Sequence, residues 1–136
     1  ERLNKAYNPV NKNFVLLDPN NENTISDAVT DYGKIFQSLH SGYEFLVLIK
    51  SAELTGNKIV FEEKTSMQYS DLYERLSTYL CDGLPTDQYR AILFHEAVHY
   101  CRMLTYRVHI NPQSAIAFYA IAVRLFNDFI EQYEKH

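Results

Sequence analysis

The dipeptide Asn111-Pro112 constrains this chain more than any other feature, because it separates two long stretches of helical periodicity with almost nothing between them. Proline lacks an N–H and has a fixed φ, so its preferred helical place is the first position, and asparagine before it is a good N-cap. Upstream, Pro85-Thr86-Asp87 opens a predicted helix that runs to about His109, with an apolar stripe of Leu93, Ala97, Tyr100 and Leu104. Downstream, Ala115, Phe118, Tyr119, Ala122, Leu125, Phe126 and Phe129 recur at helical spacing to about Glu134. A connection this short requires the two helices to fold back on each other.

The rest of the chain reads less sharply. Ser70 is the expected cap of a helix carrying Leu72, Tyr73, Leu76, Tyr79 and Leu80, which stops near Gly83. Thr24, with Asp27 three residues on, is the expected start of another, with apolar residues at Ile25, Ala28, Val29, Tyr32, Ile35, Phe36 and Leu39 and a stop at Gly42. Residues 43–65 fit either a buried helix from Glu44 to Leu54 or a hairpin of Phe45–Lys50 with Lys58–Glu63 around Thr55-Gly56-Asn57. Residues 1–23 are rich in Asn and broken by Pro9 and Pro19, which favours turns in an extended arm, with Phe14-Val15-Leu16-Leu17 docking it onto the body.

These signals define a mainly α fold of four or five helices. It is a small helical bundle ending in a long antiparallel helical hairpin, with one β-hairpin at 43–65 as the open alternative. At 136 residues the chain fits one domain, an arm at 1–23 followed by a helical domain at 24–136. A net charge of −4 with scattered basic residues argues against a nucleic-acid partner. The longest strictly apolar run is Phe45–Ile49, far short of a membrane span, so no membrane partner is expected either. Two cysteines, Cys81 and Cys101, make no disulfide framework, which points to an intracellular, cytoplasmic setting.

The residues with the most chemical content are His95-Glu96-Ala97-Val98-His99. Histidines at i and i+4 share a helix face and can reach one metal ion, with the glutamate placed to activate a bound water. This pentapeptide resembles the HExxH motif of zinc metallopeptidases. The resemblance implies His95 and His99 as zinc ligands and Glu96 as general base. A third ligand is needed, and His109 lies about 15 Å further along a continuous helix, out of reach. The glycine and third histidine of the metzincin pattern are missing. A carboxylate from the following helix is the alternative, and the hairpin register points to Asp128 or Glu131. His95 and His99 fall off the main apolar stripe, beside Ile92, Arg102, Met103 and Tyr106, and are expected to line a groove or a wet surface.

The same stretch supports a different reading. Glu96–Leu104 followed by Ile110–Ala122 resembles tetratricopeptide-type helix pairing, which places small residues at close contacts and an Asn-Pro at the junction. That resemblance implies Ala97, Ala117 and Ala122 as close contacts and Tyr100, Phe118 and Tyr119 as aromatic knobs. Only one such junction is present, and the first helix is longer than the family's spacing. With eleven Tyr and eight Phe and no Trp, the chain is equipped for half-wet interfaces.

Two functions follow as expectations. The first is a protein–protein interaction module working through the helical hairpin 87–134, with Tyr100, Arg102, Tyr106, Phe118 and Tyr119 as anchors for a protein or peptide partner and self-association left open. It needs no cofactor. The alternative is a zinc-dependent hydrolase built on His95, Glu96 and His99, with Asp128 or Glu131 completing the metal site. Whether the chain is an enzyme is left undecided by the sequence.

Overall fold

The computed structural model describes residues 4–8, 12–17 and 27–133. In chain order the elements are β1 (Asn4–Asn8), β2 (Asn13–Leu17), α1 (Ala28–Leu39), α2 (Tyr43–Val47), β3 (Ala52–Thr55), β4 (Lys58–Phe61), α3 (Met67–Gly83), α4 (Thr86–Ile110) and α5 (Pro112–Tyr133). The fold is mainly α, and α4 and α5 form the expected long antiparallel hairpin. No helix among the described residues is long and apolar enough to cross a membrane.

The junction works as its residues dictate. The Asn111 Oδ1 accepts from the Ser114 N–H at 3.3 Å, and Pro112 takes the first helical position. The Asn111 amide also donates to the carbonyls of Val47 (3.4 Å) and Ile49 (3.1 Å), so the turn that reverses the hairpin also anchors the segment after α2.

Other boundaries differ from expectation. Helix α3 starts a turn before Ser70, because Ser66 supplies the cap, its Oγ accepting from the Tyr69 N–H at 3.4 Å. Thr24 lies outside the described residues, and Asp27 caps α1 by accepting from the Val29 N–H at 3.0 Å. Gly42 does not stop α1, which ends at Leu39. With φ of 71° it instead turns the chain into α2.

Segment 43–65 combines both readings. Phe45 and Leu46 are helical, because Leu46 is buried against α4 and α5, and the hairpin pairs Ala52–Thr55, not Phe45–Lys50, with β4. Its register brings Thr55 opposite Lys58, with Gly56 at φ 59° as the first central residue of a two-residue turn. In the N-terminal segment, where turns were expected, β1 and β2 pair antiparallel from Asn4↔Leu17 to Asn8↔Asn13. The docking role of Phe14–Leu17 concerns side chains outside the described residues.

Helix α4 is the centre of the fold, packed on one side by α5 and on another by α1. Toward α5 it places Ala97 and Tyr100 into a core with Ala117, Phe118, Ile121, Ala122 and Leu125. The alanines let the backbones approach, and Tyr100 meets Phe118 edge-on at 5.0 Å. Toward α1 and α3 it places Ile92 against Phe36 and Leu80.

The α1–α4 approach is closest at Gly33. A Cβ there would lie 2.8 Å from the His95 Cβ and 3.1 Å from the His95 carbonyl carbon. In an unobstructed helix interior Gly→Ala stabilises by about 1 kcal/mol. Here overpacking at about 1–3 kcal/mol outweighs that gain. Gly33→Ala is therefore expected to lower stability by about 1 kcal/mol in urea unfolding, while Gly83→Ala, where an added Cβ meets nothing within 4 Å, is expected not to.

Candidate functional site

The HEAVH segment lies in the middle of α4, and its polar side chains face α1, not α5. His99, expected to line a groove or wet surface, is buried, while His95 is half-buried. His99 is 4% exposed and Glu96 1% exposed. A central helix flanked on two sides has two buried faces, and a single apolar stripe in its sequence reveals only one of them.

The two buried polar side chains are met at opposite ends of α1, His99 by Thr30 in its first turn and Glu96 by the His40-Ser41 turn after its last. The His99 Nε2 lies 2.9 Å from the Thr30 carbonyl. A carbonyl only accepts, so Nε2 carries the proton and donates. Burial drives the His99 pKa down to about 4, against a smaller upward pull from the Thr30 bond, with nearby Lys34 and Arg102 adding to the lowering. The imidazole is therefore neutral at pH 7.

Glu96 receives three contacts from the turn. His40 Nδ1 lies 3.0 and 3.1 Å from its two carboxylate oxygens, and the Ser41 hydroxyl donates to Oε1. The His40 ring stacks flat on Tyr73 of α3, with centroids 4.3 Å apart and planes 6° apart, which fixes its orientation. Burial, reinforced by the Glu96 charge, pushes the Tyr73 hydroxyl pKa well up, so the phenol stays neutral. Next along α4, the Tyr100 hydroxyl donates to the Gln37 carbonyl at 3.2 Å. His40, Ser41, Thr30 and Gly33 were not identified from sequence. Nothing local marks them, because they become neighbours of Glu96 and His99 only when α1 docks.

These residues do not fit a catalytic zinc. The ring nitrogen of His99 that is bonded to Thr30 offers no lone pair, and Glu96 is buried and already accepts from His40 and Ser41. Among the described residues no group of three His, Cys, Asp or Glu is placed to hold a metal ion. The hairpin register was read correctly, since Phe94 meets Phe126 and Phe129 at 5.5 and 5.6 Å. The rotation was not. Asp128 and Glu131 are exposed on α5, whereas His95 and His99 turn toward α1.

The expected interface anchors also divide. Tyr100 and Phe118 are both 0% exposed, so they are core residues and not anchors. Tyr106, Tyr119 and Arg102 are exposed. Around Tyr119 the structure reveals an apolar face that the sequence reading missed. On α5 it comprises Tyr119, Val123, half-buried Phe126 and Ile130, and on α4 Phe94, Cys101 and Val108. The α5 positions run i, i+4, i+7, i+11, a second helical stripe turned away from the core stripe of Phe118, Ile121, Ala122 and Leu125. That spacing was legible, but it merged with the core pattern because α5 is apolar around most of its circumference.

The low pKa of His99 sets a pH dependence. Below about pH 6.5 the unfolded chain binds a proton at this site that the folded chain refuses until about pH 4. Stability is therefore expected to fall as pH drops from 6.5 toward 4, by on the order of 2–3 kcal/mol from this group. Urea midpoints across that range should show the slope, and His99→Gln should flatten it. No protein-family model matches the chain, and no curated protein or solved structure matches it.

Proposed function

We propose that the chain is a helical protein–protein interaction module that presents the outer face of the α4–α5 hairpin to an amphipathic helix of a partner protein. The observation that carries this reading is the second apolar stripe of α5. Tyr119 is 54%, Val123 40% and Ile130 43% exposed, and Phe94 at 42% and Val108 at 53% continue the face onto α4. Scattered exposed apolar residues are ordinary, but a regular apolar stripe on α5, joined to α4 where Phe94 meets Phe126, is a feature of interaction surfaces. Two antiparallel helices form a shallow groove, and the i, i+4, i+7, i+11 spacing suits a third helix laid along it. Tyr119 supplies a ring with a polar tip on that face, the residue type enriched in interface hot spots.

A photo-crosslinking residue at position 123, with exposed position 74 on α3 as control, tests this in the cells that make the protein. The expected result is one dominant adduct from position 123, lost when Ile130→Glu is added, and none from position 74. Ile130→Glu is expected to alter stability by no more than about 0.5 kcal/mol, since the side chain is half in water already. An adduct of twice the chain mass would replace the partner helix by a second copy. Equal labelling from both positions, or none from 123, would remove the reading.

A further inference from the structure

We infer that the His95–His99 segment of α4 is a docking seam that holds α1 and the His40-Ser41 turn on the central helix, and that the Nε2 of His99 and the Glu96 carboxylate are engaged there in place of a metal ion. The inference is independent of what the α4–α5 face binds.

Three observations on separate atoms carry it. First, a zinc-ligating imidazole presents a lone pair to the metal and sends its other N–H to a second partner. In His99 the Nε2 proton goes to the Thr30 carbonyl of the facing helix, so the Nε2 lone pair is not available to a metal. Second, a glutamate that activates a metal-bound water needs an unfilled side. The Glu96 carboxylate is covered, both of its oxygens accept from His40, and one also accepts from Ser41. Third, the two helices meet closely at the motif. The space above His95 is filled by α1 at Gly33, where even one added carbon atom would lie 2.8 Å from the His95 Cβ. At this point no further group fits between the two backbones.

The arrangement gives each motif residue a positioning role. His99 fixes the start of α1 through Thr30. Half-buried His95 forms the floor under Gly33. Glu96 fixes the end of α1 and the entry to α2 through His40 and Ser41. A buried carboxylate without partners is strongly unfavourable, so Glu96 makes the position of that turn obligatory. The seam runs from Thr30 in the first turn of α1 to His40 just past its end.

Cobalt titration of the full chain, read by visible absorption, decides between a seam and a metal site. The expected result is no saturable tetrahedral cobalt band in the wild type and no rise in Tm with added zinc. In the same buffer His99→Gln, whose amide can still donate to the Thr30 carbonyl, is expected to stay within about 3 °C of the wild-type Tm. His99→Ala and Glu96→Ala are each expected to fall by about 5–10 °C. A one-equivalent cobalt spectrum that disappears in His95→Ala would overturn the inference, as would a His99→Ala Tm equal to the wild type. If the alanine variants fail to fold, the wild-type cobalt titration and the His99→Gln Tm still give the answer.

Discussion

The interaction on which the rest depends is the Glu96 carboxylate buried between α1 and α4. Taking a carboxylate out of water costs several kcal/mol, and that cost is offset only if charge-assisted hydrogen bonds replace the lost hydration. His40 and Ser41 provide them, and both come from a turn more than fifty residues earlier in the chain. Once that turn is fixed on α4, α1 must lie along the central helix. Gly33 must then be small, and His99 must be sheltered beneath Thr30 and hold its single proton on Nε2. Tyr73 from α3 closes the arrangement by stacking on His40. One polar requirement thus organises three helices.

The other side of α4 is built on a different principle. Against α5 the contact is apolar and close, with alanines on both helices and the Tyr100–Phe118 pair filling the space between. Non-directional packing of this kind supplies most of the burial energy, at roughly 1.5–3 kcal/mol for each large side chain fully removed from water. The polar seam contributes less net energy but fixes position, because hydrogen bonds have direction. The molecule combines an adhesive face and an aligning face on one 25-residue helix.

This division bears on function. In a metallopeptidase the histidines and glutamate of an HExxH helix face a cleft, and their chemistry depends on what is left open around them. Here the same residue types face a docked helix, and the uncovered surface lies along the outer side of α4 and α5. The interaction-module reading draws its support from that exposed strip. The residues that looked most chemical in the sequence instead carry an architectural role in the inference drawn from their contacts. A motif specifies which atoms are available. The fold specifies which of them meet anything but protein.

What the sequence alone determined was local. The reversal at Asn111-Pro112, the two long helices around it, their antiparallel register and the strand at Lys58–Phe61 all depend on φ preferences, caps and periodicity within a few residues. Even there, competing caps shifted the start of α3 from Ser70 to Ser66, and Phe45–Val47 became helical because Leu46 had a core to reach. What only the tertiary structure decided was which face of each helix is covered. Tyr100 and Phe118 went inside, Tyr119 stayed outside, and His99 and Glu96 were buried against α1. Those outcomes depend on pairings between residues 55 or more positions apart, such as His40 with Glu96 and Thr30 with His99. No window of local sequence contains both partners, and the energy that selects them exists only when the helices have met.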